Sequence, residues 1–272
     1  MTFPARLHVL LASKARYGVV FRRGPVNAVC TVGWNRKTDE FQLGQWLRGR
    51  IYERRADLSP DGRHLIYFAR GGRRHQETKG SWTAISRAPW LHAITLFGKG
   101  DCWQGGGLFT SNQKYWLNGC HFDVRDSSNL VEDVQYSPEG AFGAECPSVY
   151  YRRLLRDGWS LEITVGPGRV SPCTVFSKLL PHGWILRKFA YADATHPQGT
   201  SVYWDEHELE HPQRKALLAV PKWEWADLDG STLVWAEKGI LYRASMKPTG
   251  PADAKILYDF NPMRFDARAA PY

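Results

Sequence analysis

The segment His207-Glu208-Leu209-Glu210-His211 places two histidines around a glutamate in an H-E-x-x-H pattern. Where this pattern binds zinc, both histidines ligate the metal from one helix face and the glutamate acts on the bound water. The helix must then continue through His211. Pro212 follows directly, and it disfavours a helical His211 and lacks a backbone donor. We therefore interpret the segment as a solvated loop and predict no metal site.

Arginine and lysine are concentrated in the first part of the chain. The net charge is +9, but residues 1–100 contain 18 Lys/Arg against 6 Asp/Glu, whereas the remainder contains 18 against 21. Guanidinium groups bind phosphate and carboxylate, and a segregated charge raises the local concentration of an anionic partner. Two alternatives remain open: a solubilising face, or structural ion pairs with Glu53, Asp57 and Asp61.

The spacing of several arginines predicts a common groove. In an extended backbone Arg48 and Arg50 point to the same side, and Arg70, Arg73 and Arg74 follow in the next strand and loop. Aromatic residues make up 13% of the chain, and their rings can fill a core or stack on a ligand. The predicted ligand-binding residues are Arg22, Arg23, Arg50, Arg54, Arg55, Arg87, Trp82 and Trp103.

Other motifs limit the chemistry further. No phosphate-binding G-x-x-x-x-G-K-[ST] motif occurs, and we predict no cofactor. The run Gly105-Gly106-Gly107 is compatible with an anion-binding nest of backbone N–H groups or with a sharp bend, and we favour the bend. Five widely spaced cysteines without C-x-x-C predict buried free thiols. With no uncharged apolar run near ~18 residues, we expect a cytoplasmic protein outside the membrane.

Short strands separated by turns must position these residues. Ser59-Pro60-Asp61-Gly62 predicts a tight turn, because proline fixes φ and glycine accepts positive φ, and strand-like runs lie on both sides of it. About twenty such runs follow along the chain, including 148–155 and 159–165 around Asp157-Gly158. The pattern predicts an all-β protein.

The hairpin recurs near the other end of the chain. Ala56-Asp57-Leu58 aligns with Ala226-Asp227-Leu228, and Leu65–Ala69 aligns with Thr232–Ala236. The run from Asp57 to Ala69 resembles the hairpin of TolB-type and WD-like β-propeller repeats. A broader resemblance to a family of uncharacterised bacterial proteins covers about the first 120 residues and brings no known activity. It rests on the segments Phe21–Pro25, Gly49–Arg55, Trp82–Arg87 and Gly100–Phe109.

The resemblance implies one β-propeller-like domain over residues 1–272. We expect about five four-stranded blades, with six possible, and a ring closed by pairing Arg6–Leu11 with a strand near Lys255–Phe260.

For function we favour a monomeric, non-enzymatic binding scaffold that presents its basic face to an acidic protein or anionic ligand. One alternative is a five-bladed glycoside hydrolase with a carboxylate pair, for which Asp57, Asp101, Asp133, Glu145 and Asp205 are available. The other is nucleic-acid binding, which no motif supports.

Overall fold

The structure is a computed structural model that describes residues 4–24, 27–71, 77–138, 142, 145–163, 173–193, 196 and 201–272. Strands account for 53% of the described residues, and one α-helix is found among them, which confirms the all-β prediction. The chain divides into two compact units. Unit 1 comprises the described parts of Val9–Arg153 and Met263–Tyr272, and unit 2 comprises Pro4–His8 and the described parts of Leu154–Pro262.

The first thirteen strands lie before the α-helix. They are β1 (Arg6–Leu11), β2 (Tyr17–Arg23), β3 (Ala28–Asn35), β4 (Glu40–Arg48), β5 (Arg50–Ile51), β6 (Asp57–Leu58), β7 (His64–Arg70), β8 (Ser81–Arg87), β9 (Ala93–Gly98), β10 (Gly107–Phe109), β11 (Lys114–Leu117), β12 (Phe122–Asp126) and β13 (Val131–Glu132). A 3-10 turn, Glu53–Arg55, lies between β5 and β6.

These strands form three sheets. The first has the order β1-β2-β3-β4, and the second has the order β12-β9-β8-β7-β5, with β6 also paired to β7. The third sheet, β10-β11-β13, combines an antiparallel pair with a parallel one. Most neighbours in the sheets follow one another along the chain, as short connecting turns require.

The predicted turn at Ser59-Pro60-Asp61-Gly62 is present. Gly62 has φ +74 and donates its N–H to the Ser59 carbonyl at 2.8 Å. The Ser59 hydroxyl donates to Asp61 at 2.6 Å and accepts the His64 N–H at 2.9 Å. This turn sets the register in which Asp57 lies opposite Ile66.

An apolar core in unit 1 holds strands of the first two sheets together. Its fully or nearly fully buried members include Val19, Phe21, Ile51, Leu65 and Tyr67. Burial of each such side chain contributes about 1.5–3 kcal/mol. The core therefore fixes the backbone from which the arginines of β4, β5 and β7 project.

Unit 2 contains two antiparallel sheets. The first is formed by β14 (Ser160–Ile163), β15 (Cys173–Leu179), β16 (Ile185–Ala192), β17 (Tyr203–His211) and β18 (Ala216–Ala219), and the second by β19 (Trp225–Asp229), β20 (Thr232–Glu237), β21 (Ile240–Lys247) and β22 (Gly250–Asp259). Two 3-10 turns, Pro181–Gly183 and Pro212–Arg214, precede β16 and β18. The repeat of the hairpin is β19 and β20, in which Asp227 lies opposite Val234.

One predicted strand is wrong. Residues 148–155 lie in the helix α1 (Pro147–Arg156), within which the boundary between the units falls. Residues 147–151, Arg153 and Leu154 of this helix are buried, so burial along it is nearly continuous. Proline is well tolerated in the first turn of a helix, where its missing N–H would have no partner.

The predicted ring closure is not found among the described strand pairs. β1 pairs with β2, and β22 pairs with β21. In unit 2 the Ala5 N–H is instead accepted by the Asn261 side chain at 2.8 Å, so a side chain takes the place expected for a strand ladder. No described helix is long and apolar enough to cross a membrane.

Candidate functional site

Three of the predicted ligand-binding arginines lie inside unit 1. Arg22, Arg54 and Arg55 are 2%, 8% and 0% exposed. Arg22 donates to the Gly24 and Met263 carbonyls, and its guanidinium lies 5.3 Å from the centre of the Trp46 ring. These positions give the three arginines structural contacts, and their binding of a ligand stays a prediction.

Arg55 shows how such a charge is stabilised. Its guanidinium donates to the carbonyls of Cys102 and Gln104 and forms an ion pair with Glu145. The rings of Tyr52 and Phe68 lie 4.5 and 5.1 Å from it. Burial alone would disfavour the charge, but the neighbouring Cys146 and, to a smaller extent, Glu145 leave the pKa of Arg55 above its usual value.

Arg23 and Arg54 lie close to Glu53. Arg23 Nη1 is 3.3 Å from Glu53 Oε1, which is one of the structural ion pairs considered above. Burial would raise the pKa of Glu53, yet Arg23, Arg54 and Arg50 together hold it below its usual value. The Arg54 guanidinium also lies 5.1 Å from the Tyr150 ring centre. Glu53 thus neutralises part of the predicted basic face.

An exposed basic group consists of three arginines, of which only Arg50 is among the predicted ligand-binding residues. Arg50 lies directly opposite Arg70 in the β5–β7 pair, and Arg48 ends the preceding strand. We call Arg48, Arg50 and Arg70 the arginine triad. All three are exposed, and none forms a salt bridge with any carboxylate in the described part of the chain.

Glycines allow the backbones of the triad to approach closely. Gly49 has φ +155, and a Cβ there would lie 2.6 Å from the Arg70 carbonyl oxygen. Gly71 also lies close to the Arg48 strand, because a Cβ there would be 3.3 Å from the Arg48 carbonyl oxygen. Two side chains directly opposite in a sheet have Cβ atoms about 5 Å apart. The triad is therefore compact.

Trp82 and Trp103 differ in exposure. Trp82 is partly buried, and its ring reaches within contact distance of the Gly71 position beside the triad. Trp103 is 70% exposed, and its backbone N–H donates to Asp101. Arg87 is exposed and lies 4.7 Å from the Tyr272 ring centre. Arg73 and Arg74 lie outside the described residues.

The triad has the chemistry of an anion site. Like charges directly opposite in a sheet destabilise it, and a bound anion would remove this repulsion. Guanidinium groups offer several donors in a planar fork that suits carboxylate or phosphate. Sequence reasoning grouped Arg48, Arg50 and Arg70 by alternation, but it could not exclude the buried arginines from the group.

The five candidate carboxylates all have partners. Asp57 accepts the Phe109 N–H, Asp133 accepts the Thr110 hydroxyl, and Asp101 accepts the Trp103 N–H and lies 3.3 Å from Lys99. Glu145 pairs with Arg55, and in unit 2 Asp205 lies 3.8 Å from Lys188. These contacts give each carboxylate a structural use, and none favours an acid/base pair.

The two glycines whose N–H groups would make an anion nest use them inside the fold. Gly105 donates to the Asn118 carbonyl and Gly106 to the Thr83 hydroxyl, each at 2.8 Å. A Cβ on Gly106 would lie 1.9 Å from the Arg55 carbonyl oxygen. Close packing explains the glycine run, which makes the nest alternative wrong.

The H-E-x-x-H segment lies on β17, where side chains alternate. His207 and His211 are buried, and Glu208 and Glu210 lie on the other face with Arg187. Four strand residues span about 13 Å, too far for two ligands of one metal. The described residues contain no group of three potential metal ligands. The loop interpretation is wrong, and the two histidines do not form a zinc site.

His207 instead belongs to a buried network. Its Nδ1 lies 2.8 Å from the Trp223 carbonyl and must donate to it, so Nε2 accepts from Lys188 Nζ at 2.9 Å. Lys188 also lies 4.8 Å from the Trp159 ring centre. Because Lys188 and His207 are 1% and 2% exposed, the pair is structural rather than open to a substrate.

All five cysteines are free, as predicted. Cys30 and Cys146 are buried, Cys102 and Cys173 are partly buried, and Cys120 is exposed. Burial raises the pKa of Cys30 to about 12 and raises that of Cys146, with nearby arginines offsetting only part of the effect. Both buried thiols are therefore uncharged at neutral pH.

Comparison with known proteins assigns no function. No protein-family model matches the chain, and no curated protein matches it. A solved structure with some likeness is an uncharacterised protein, lmo1340 from Listeria monocytogenes EGD-e, at 7% identity and a TM-score of 0.27. The match covers 92% of this chain and 66% of that protein. A likeness of this size carries no conclusion about fold or function.

Proposed function

We propose that this chain is a non-enzymatic binding scaffold whose arginine triad receives carboxylate groups of an acidic protein or another anionic ligand. The observation that carries the proposal is the exposed Arg50–Arg70 pair beside Arg48, without a salt bridge to any described carboxylate. Because the two guanidinium groups repel each other, binding of an anion between them is favourable. The half-buried Trp82 adds an apolar wall beside the triad.

We further propose that the five sheets are blades of a propeller-like fold related to TolB-type and WD-like repeats in an uncharacterised bacterial family. Support comes from the repeated hairpin. Asp57 of the first copy accepts a backbone N–H from β10, and Asp227 of the second lies 2.5 Å from Lys178 of β15, so each aspartate bonds to another sheet of its own unit. A single domain, a monomeric state and a cytoplasmic location stay predictions, the last supported by the free cysteines.

The test uses fluorescence anisotropy of a fluorescein-labelled oligoglutamate peptide. We expect the Arg50→Ala/Arg70→Ala variant to bind at least about tenfold more weakly than the wild type, because each charge-assisted hydrogen bond contributes about 1.5–3 kcal/mol. The charge-matched control is Arg63→Ala/Arg125→Ala, since both side chains are exposed in unit 1 away from the triad.

Equal losses in the two variants would show that only net charge matters, and the triad would not be a site. A labelled DNA duplex serves as the second probe. Tighter binding of the duplex, with an affinity that falls steeply with salt, would favour nucleic-acid binding over an acidic protein.

A further inference from the structure

A segment without regular secondary structure, Met263–Tyr272, belongs to unit 1. We call it the strap. Phe265 of the strap lies 4.6 Å from the Arg48 guanidinium, measured to the ring centre, and its ring is 5.8 Å from that of Trp46. Tyr272 lies 4.7 Å from the Arg87 guanidinium. Two aromatic side chains seven positions apart thus rest on two arginines.

The hydrogen bonds of the strap run through side chains. Arg22 donates to the Met263 carbonyl at 3.3 Å, and Gln45 donates to the Arg268 carbonyl at 2.8 Å. Tyr272 donates its hydroxyl to the His92 carbonyl at 2.8 Å and accepts the Arg87 N–H at 3.0 Å. Apart from the two contacts of the Tyr272 hydroxyl, these interactions involve backbone carbonyls and aromatic rings, so another peptide with aromatic side chains at the same spacing would make them too.

The strap is a poor electrostatic match for the face it covers. Between Met263 and Tyr272 it carries Arg264, and also Arg268, which pairs with Asp266 at 2.7 Å. The surface beneath it contributes Arg22, Arg48 and Arg87. Burial lowers the pKa of Arg22, and the nearby charge of Arg264 lowers it further, whereas Cys30 opposes both effects. Phe265 also remains 40% exposed. A peptide with acidic residues would complement this face better than the strap does.

We propose that Trp46, Arg48 and Arg87 form a docking groove for an extended acidic peptide of a partner protein, and that the strap occupies this groove until the peptide displaces it. The inference rests on the proposed function, because Arg48 belongs to both the groove and the arginine triad. The inference also specifies what the partner presents: a peptide with carboxylates and two aromatic side chains about seven positions apart.

The size of the effect follows from competition. An attached segment competes at a high effective concentration, and a groove that is covered about 90% of the time binds a partner about tenfold more weakly than an open one. Removing the two rings of the strap should therefore increase the affinity for an added peptide by up to about tenfold.

The experiment measures anisotropy of a labelled ten-residue, glutamate-rich peptide that carries Phe and Tyr seven positions apart. It compares the full-length wild type with Phe265→Ala/Tyr272→Ala. Tyr258→Ala is the matched control, because Tyr258 is 38% exposed and lies in unit 2. A second peptide has alanine in place of both aromatic residues. Tyr272→Phe removes the two hydroxyl contacts but keeps the ring, so it should give a smaller increase in peptide affinity. It replaces the double variant in the comparison if the double variant does not fold.

The inference predicts tighter binding by the strap variants, no change in Tyr258→Ala, loss of binding in Arg48→Ala, and no gain for the alanine peptide. Equal affinity of the wild type and both strap variants would overturn it. If oligoglutamate binding still depends on Arg50 and Arg70 in that case, the proposed function stands and only the docking groove fails. If substitution of Arg50 and Arg70 leaves oligoglutamate binding unchanged while the strap variants gain affinity for the aromatic peptide, the triad is not the anion site and the docking groove is retained.

Discussion

Arg55→Met is the substitution that best separates a structural arginine from a ligand-binding one. The change removes the donors to two carbonyls and to Glu145 but retains an unbranched side chain between Tyr52 and Phe68. Removing one partner of a buried ion pair costs about 3–5 kcal/mol. Glu145 keeps 26% of its side chain exposed and can regain some hydration, so we expect a loss of about 3 kcal/mol.

The assay is thermal unfolding followed by circular dichroism. A loss of about 3 kcal/mol corresponds to a decrease in Tm of about 6–12 °C for a domain of this size. The control is Arg63→Met, whose side chain is 81% exposed and lies 3.8 Å from Asp61, so its loss should change stability by less than about 0.5 kcal/mol. A stability of Arg55→Met within about 1 kcal/mol of the wild type would refute the structural role.

Three further changes test other parts of the structure. Burial lowers the pKa of His64, so the unfolded chain is protonated at His64 before the folded protein, and the free energy of unfolding should decrease as the pH falls through about 6.5. In denaturation curves between about pH 5 and 8, His64→Gln should reduce this dependence of stability on pH, and an unchanged dependence would contradict the lowered pKa of His64. Exposed Cys120 should react rapidly with a thiol reagent in the native protein, whereas Cys30, with its pKa raised to about 12, should react only on unfolding; equal rates would be inconsistent with its burial. Asp57→Ala leaves the Phe109 N–H without its acceptor and should cost about 1–3 kcal/mol in urea denaturation, so a neutral result would exclude that bond as a stabilising contact.

Local signals in the sequence predicted the hairpins well. Ser59-Pro60-Asp61-Gly62 carries its own turn chemistry, and the structure uses its proline-initiated turn, its positive-φ glycine and its serine hydroxyl. The same local reasoning failed at α1, because a short run with adjacent aromatic residues, Tyr150 and Tyr151, resembles a strand.

The candidate site could be predicted only in part, because burial of an arginine depends on distant residues. Arg55 finds its acceptors 47 and 90 positions away, at Cys102 and Glu145. The sequence around Arg55 does not predict contacts with such distant residues. The exposed Arg50–Arg70 pair likewise depends on the β5–β7 register, which differs from the β6–β7 register set by the turn at 59–62 because the 3-10 turn Glu53–Arg55 lies between β5 and β6. The strap was not predicted, because its contacts join residues more than 180 positions apart.

In the proposed function the arginine triad, and not the buried arginines, receives an anion. An NMR titration of the arginine Nε–Hε resonances with unlabelled oligoglutamate tests this, with the resonances assigned by single Arg→Lys variants. We expect the signals of Arg48, Arg50 and Arg70 to shift together and saturate, while that of Arg55 stays in place because its donors are already engaged. A shift of Arg55 without the triad, or no shift of the triad at saturating peptide, would contradict it.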